Sequence, residues 1–257
     1  MNDESEPITG DSGHTRLEVQ KLCAGYGQQD ILFDISASFP SGRVTTIIGP
    51  NGAGKSTFIK ALYGLARVTS GSILLEGNPI RPQARNLVKL GIAYVPQVRN
   101  VFGTLTVQEN LEIGTYVRTA GSMERVMELF PDLRGLLKRQ AGKLSGGQRN
   151  MLAVGRALMS DPVVLLLDEA TGGLAPMVAR DLWEHVVALA RTDGVAVAAV
   201  EQNVRLAMEF SDTVYVFGSG RNLIHGSSAE LLARPDFEDL FLESQSQVNK
   251  LAPAAGN

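Results

Sequence analysis

Cysteine is almost missing from this chain: Cys23 is the only one in 257 residues. No intrachain disulfide can form, which excludes a disulfide-stapled secreted scaffold and fits a reducing compartment. Long hydrophobic runs are missing too. Apolar stretches such as "VVLLL" at 163–167 and "VAVAAV" at 195–200 have strand lengths, well short of the roughly 18 to 20 residues that cross a bilayer. The chain is therefore not expected to span a membrane by itself. Positive charge is not in excess: 24 Lys and Arg stand against 27 Asp and Glu, a net charge of −3. A broad basic surface for a nucleic-acid backbone is not expected. The opening "MNDESEPITGDSGHT" is acidic and polar without an apolar segment, and reads as neither a signal peptide nor a lipidation motif. Residues 1–15 are expected to form a disordered extension and residues 245–257 a flexible tail, with no room for a second regulatory domain after the helical "SAELLARPDFEDLFLES" region. Internal repeats are lacking, as is low complexity outside the two tails.

What is present is a globular composition, 44% hydrophobic, enough for one large domain or one domain with an inserted lobe. From Leu17 to Ile48 short strands broken by turns suggest antiparallel hairpins feeding a buried strand. Helical periodicity follows from Lys55 to about Leu65, and "GSILLEG" and "GIAYVPQ" return to strand chemistry. A mostly helical run between about 99 and 160 reads as an inserted lobe. Beyond it, "VVLLLDE", "VAVAAVE" and "TVYVFGSG" alternate with helical segments near 176–191 and 203–210. Strands alternating with helices predict an α/β fold with a mainly parallel sheet. Residues 16–244 are expected to make up this domain.

Three motifs carry chemistry. In "GPNGAGKST" (Gly49, Pro50, Asn51, Gly52, Ala53, Gly54, Lys55, Ser56 and Thr57), a buried strand runs into a Gly-rich turn that opens a helix. Glycines let backbone N–H groups turn inward around a phosphate, the helix N-terminus adds partial positive charge, and Lys55 reaches the terminal phosphates. Ser56 would give its hydroxyl to Mg2+. "VVLLLDE" is a buried strand ending in two acids, where ligands bind in parallel sheets: Asp168 suits a metal held through water, Glu169 an attacking water. "LSGGQ" contributes Ser145, Gly146, Gly147 and Gln148. Ser145 is placed to cap the following helix, and the glycines leave backbone open to an anion.

On these motifs, together with "YVPQ", the chain from about Leu17 to Ser244 resembles an ATP-binding cassette ATPase. That resemblance implies a P-loop NTPase fold of ABC type, with an antiparallel β subdomain and a helical lobe, using ATP and Mg2+. It implies that Gln97 faces Mg2+ and the transmembrane partner, and that Tyr26 in "AGYG" stacks on adenine. It further implies a head-to-tail pair of nucleotide-binding subunits, in which the Ser145 and Gly147 region completes the partner's site. Hydrolysis would then open the pair by removing a γ-phosphate contact.

"IAYVPQVRNVFGTLTVQENLEIG", "QRNMLAVGRALMSDP", "GGLAP" and "VEQN" further resemble the ATPase subunit of branched-chain amino acid importers. Where such ATPases generally carry a switch histidine, this chain has Gln202, which can donate a hydrogen bond but cannot become cationic. The resemblance therefore favours a heterodimer whose second ATPase subunit keeps the histidine, with a homodimer as the alternative. It implies two membrane permease subunits, a solute-binding protein outside the cell, and a location at the cytoplasmic face of the membrane. Glu201, Gln202 and Asn203 are expected to be polar because their strand ends at a nucleotide, with Asn203 also capping a helix. His14, His185 and His225 are read as surface or packing residues. The chain departs from the family at Ala170, usually Pro, at Ala175, often Asp, and in "LSGGQRN". The alternative function is a soluble cassette ATPase gating nucleic acid or protein complexes, against which the compact single cassette and the acidic balance argue.

Overall fold

The computed structural model describes residues 14–117 and 121–237. The expectations for the N-terminal extension and the tail lie outside the described residues, apart from His14 and Thr15. Thr15 is not part of an extension: it opens strand β1 (Thr15–Tyr26) and pairs with Pro40.

β1 pairs antiparallel with β2 (Gln29–Pro40) and with β4 (Arg67–Leu75), and β5 (Asn78–Ile80) closes a four-stranded sheet in the order β2-β1-β4-β5. β4 starts earlier than "GSILLEG" suggests, because Gly71 at φ 86 lets the strand continue through an irregularity. A Cβ there would lie 2.4 Å from the Lys21 carbonyl oxygen, so only glycine permits this approach.

The second sheet holds six strands in the order β10-β9-β3-β8-β7-β6. β3 (Val44–Ile48), β6 (Ile92–Val95), β7 (Val164–Asp168), β8 (Ala196–Val200) and β9 (Thr213–Gly218) run parallel, and β10 (Arg221–Gly226) is antiparallel at the edge. Every residue of β3, β7 and β8 is buried. Leu165 and Leu167 pack into the cluster beneath the sheet while Val164 and Leu166 pack into the one above, and β8 alternates in the same way. Burial on both faces is why these strands read as unbroken apolar runs.

Helix α1 (Lys55–Leu62) lies between the two sheets. Its Phe58 ring sits 6.3 Å from Phe39 of β2 and 5.4 Å from Phe217 of β9. Truncating such a fully buried ring to Ala costs about 3–5 kcal/mol, so this one side chain fixes α1 against both sheets. The helix stops at Leu62, short of the expected Leu65, because Gly64 adopts φ 74 against the Pro82 carbonyl. Helix α2 (Ala84–Lys89) leads into β6.

The 99–160 segment is less continuous than its sequence suggests. It holds α3 (Val107–Ile113), α4 (Met123–Leu129), two 3-10 turns at 131–136 and 141–143, and α5 (Gly146–Leu158). α6 (Pro176–Asp193), α7 (Val204–Phe210) and α8 (Ser228–Ala233) are the remaining helices among the described residues. No helix among the described residues is long and apolar enough to cross a membrane.

Candidate functional site

Because β3, β8, β7 and β6 are adjacent and parallel, their C-terminal ends share one edge of the sheet. The register aligns Ile47 and Asp168 with Val200, and Leu167 with Val95. The residues that follow each strand therefore meet: the 49–55 loop, Gln202, Asp168 with Glu169, and Gln97. Ligands of open α/β sheets bind at such an edge.

The loop after β3 depends on its glycines. Gly49 has φ 149 and a Cβ would lie 2.3 Å from the Phe217 carbonyl oxygen; Gly54 has φ 98 and a Cβ would lie 2.7 Å from Leu32. Gly54 caps α1 without a side chain, and no acid occupies the first turn. The first amides of the helix thus face a site suited to an anion. The buried Lys55 ammonium donates to the carbonyls of Gly49 at 2.7 Å and Pro50 at 3.0 Å. Burial lowers its pKa, an effect that Glu169, Asp168 and Glu201 partly oppose. A cavity of about 250 Å3 is lined here by Ile31, Asn51, Gly52, Gly54, Lys55, Ser56, Thr57 and Glu169. Pro50 and Ala53 shape the same turn, with Ala53 N donating to Pro50 O.

Glu169 has φ 51, a conformation uncommon for a residue with a side chain, and its N–H donates to Val200 O at 3.1 Å. Its carboxylate Oε2 accepts from Gln202 Nε2 at 2.6 Å and from Gln97 Nε2. Two amides carried by different strands thus orient one acid oxygen, and Gln97 reaches Glu169 directly. Asp168 is 1% exposed. Its Oδ2 accepts from the Tyr94 hydroxyl at 3.2 Å, while its buried Oδ1 has no hydrogen-bond partner. Burial first, then the Asp168 charge, pushes the Tyr94 phenol well above its ordinary pKa, so it stays a donor. Tyr94 was missed from sequence, although its place two residues before Pro96-Gln97 offered a signal.

No group of three or more acids, His or Cys that could hold a metal ion occurs among the described residues. The orphaned buried Asp168 Oδ1, at the same sheet edge as the loop that leads to Ser56, nevertheless fits Mg2+, which takes few protein ligands and completes its shell with phosphate and water.

The expectation for "VEQN" needs a correction. Of Glu201, Gln202 and Asn203, it is Gln202 that hydrogen-bonds Glu169. Glu201 is buried and turned inward to Thr171 and Trp183, with burial raising its pKa against four hydrogen bonds that lower it. Asn203 caps α7 by accepting from Leu206 N at 3.2 Å. Both are polar for reasons internal to the fold.

Ser145 caps α5 through a reciprocal pair: its hydroxyl accepts from Gln148 N at 3.2 Å, and Gln148 Oε1 accepts from Ser145 N at 3.1 Å. Gly146 and Gly147 lie against Leu174 and Val178, where a Cβ on Gly147 would come within 2.5 Å of Val178. None of these four residues lines the Lys55 cavity. Asn150, from the divergent "LSGGQRN", donates to the Ala170 carbonyl and accepts from Asn100 at 2.7 Å, linking the α5 turn to the loop after Glu169. Tyr26 stands at the β1–β2 turn, 45% exposed. His185 packs on Phe130 and His225 stacks on Tyr215, while His14 is exposed.

A family model described as ABC transporter matches residues 32–172. Over 231 residues the chain is 43% identical to the "Probable branched-chain amino acid transport ATP-binding protein LivF" of Archaeoglobus fulgidus, covering 87% of this chain and 97% of that one. Over 231 residues it is 41% identical to the "High-affinity branched-chain amino acid transport ATP-binding protein BraG" of Pseudomonas aeruginosa, covering 88% and 99%. Among solved structures, the ADP conformation of an ATP-binding cassette of an ABC transporter superposes with a TM-score of 0.78 at 28% identity, covering 89% and 98%. With the model spanning more than half of the chain and these relatives matched almost end to end, the chain belongs to the ABC transporter family, as an ATP-binding cassette ATPase.

Proposed function

We propose that this chain binds and hydrolyses ATP to energise an importer of branched-chain amino acids or a related small polar solute. It does so from the cytoplasmic face of the membrane, docked on two permease subunits that an external solute-binding protein supplies. The observation that carries the catalytic part is the Glu169 carboxylate, held by Gln97 and Gln202 beside the Lys55 cradle. The importer and its solute are supported by the relatives named for branched-chain amino acid transport.

In this reading the Lys55 ammonium and the amides of Gly52 to Thr57 hold the β- and γ-phosphates, and the Tyr26 ring stacks on adenine. Ser56, Asp168 and Gln97 would hold Mg2+, which would supply charge to neutralise the phosphates. Glu169 accepts a proton from the water that attacks the γ-phosphorus as the bond to ADP breaks, and Gln202 donates to a γ-phosphate oxygen. Ser145, Gly146, Gly147 and Gln148 serve the nucleotide of a second ATPase subunit, which their absence from this chain's own cavity supports. The pair is a heterodimer, because Gln202 supplies no charge.

Affinity purification from detergent-solubilised membranes tests the reading. Two permeases and a histidine-bearing ATPase should accompany the chain, and the matching external receptor should bind leucine-type amino acids. Recovery with nucleic acid and without permeases would overturn it.

A further inference from the structure

Glu201 precedes Gln202 yet lies 3% exposed, its carboxylate hydrogen-bonded to Thr171 and Trp183. Its two carboxylate oxygens serve different segments. Oε1 accepts from the Thr171 hydroxyl, two residues beyond Glu169, and from the Trp183 indole N–H of α6 at 3.3 Å. Oε2 accepts from the backbone N–H groups of Gln202 at 3.1 Å and Asn203 at 3.2 Å. The N–H of Glu201 donates to Ile47 O at 3.1 Å, on the strand that leads into the Gly49 turn.

An ionised carboxylate only accepts hydrogen bonds, and here four donors from three segments converge on one. No neutral side chain of this size offers the same set of acceptors: a Gln would turn an NH2 toward one pair of donors. The donors are also arranged so that one oxygen serves the loop after Glu169 and the other serves the turn that presents Gln202.

We propose that Glu201 is a positioning residue, whose carboxylate pins the Gln202 turn to the loop following Glu169 and so keeps the Gln202 amide on the Glu169 carboxylate. The inference rests on the roles of Glu169 and Gln202 given above. A purely structural Glu201 would affect folding and nucleotide binding alike. A positioning Glu201 affects the chemical step through Gln202, leaves the Lys55 cradle intact, and therefore separates binding from turnover.

The test is a double-mutant cycle in the full-length chain assembled with its partner subunits, reading ATP affinity, single-turnover hydrolysis and thermal midpoint. Glu201→Gln should leave ATP affinity within about twofold and slow hydrolysis by about tenfold, the size expected when buried hydrogen bonds to a charged group are lost. In a Gln202→Ala background the same change should cost less than about twofold, because coupled residues do not add. Thr171→Val removes one donor from the opposite side and should show a smaller loss with the same dependence on Gln202; it decides the matter if Glu201→Gln does not fold. Equal losses in both backgrounds, unchanged hydrolysis, or affinity falling in step with hydrolysis would overturn the proposal. Glu169→Gln serves as the reference. If it hydrolyses ATP at the wild-type rate, the assignment of Glu169 fails and the inference falls with it. If it is inactive while Glu201→Gln is normal, only the inference fails.

Discussion

Gln202 Nε2 donates to Glu169 Oε2 at 2.6 Å, on the same oxygen that accepts from Gln97. The acceptor carries charge and the amide donor does not, so this bond lacks the second charge that a cationic donor would bring. In the proposed pair of ATPase subunits, the site built around Gln202 is expected to be the weaker and Ser145 to serve the other.

From that relationship follows an asymmetry between the two substitutions. In the reconstituted transporter Ser145→Ala should lower steady-state ATP turnover more than Gln202→Ala, by about five- to tenfold, on the order of 1 kcal/mol. Adding a histidine-bearing partner to the isolated chain should raise turnover per site more than doubling the chain's own concentration does. Equal losses from both substitutions would point to a symmetric homodimer instead.

Lys55 should govern binding. Its ammonium is buried among the Gly49 and Pro50 carbonyls, and Lys55→Ala should weaken ATP affinity by about ten- to 100-fold. Burial lowers its pKa, so the charged form is lost at lower pH than for an ordinary lysine at 10.5. ATP affinity, measured by equilibrium titration at rising pH, should start to fall below that value, and Lys55→Arg should remove the fall. An affinity that stays flat up to the ordinary lysine pKa would contradict the cradle as described.

Much of this site is legible in the sequence because its chemistry is local. A Gly-rich turn between an apolar strand and a helix can fold in few ways, and Ser145 with Gln148 spells a capping pair. The unbroken apolar runs at 164–168 and 196–200 mark strands covered on both sides. What escapes is long-range. The Tyr94 bond to Asp168 joins residues from different strands, and the inward turn of Glu201 joins the segment after β8 to the loop after β7; no periodicity encodes which way a polar side chain at a strand end will point. The breaks between α3, α4 and α5 also escape, because the apolar positions of short helices and 3-10 turns together imitate a longer helical pattern.

Phe102 should lie under the permease. It is 49% exposed on the segment after Gln97, with the Arg156 guanidinium 5.0 Å from its ring centre. Arg156 also donates to Asn100 O at 2.9 Å, which ties this surface to the chain of contacts through Asn150 to Ala170. An exposed aromatic backed by a cation is the kind of anchor that a helix laid in a groove would bury. Amides around Phe102 should be protected from hydrogen exchange in the assembled transporter and not in the isolated chain. Equal exchange in the two states would place the docking surface elsewhere.

The most direct measurement of the catalytic assignment is ATP binding and hydrolysis by Glu169→Gln in the assembled complex. The substitution keeps the size of the side chain and removes its capacity to accept a proton. The account predicts ATP affinity close to wild type, hydrolysis slowed by about 100-fold or more, and accumulation of an ATP-bound pair of ATPase subunits. Wild-type turnover in Glu169→Gln, or loss of ATP binding in place of loss of hydrolysis, would contradict it.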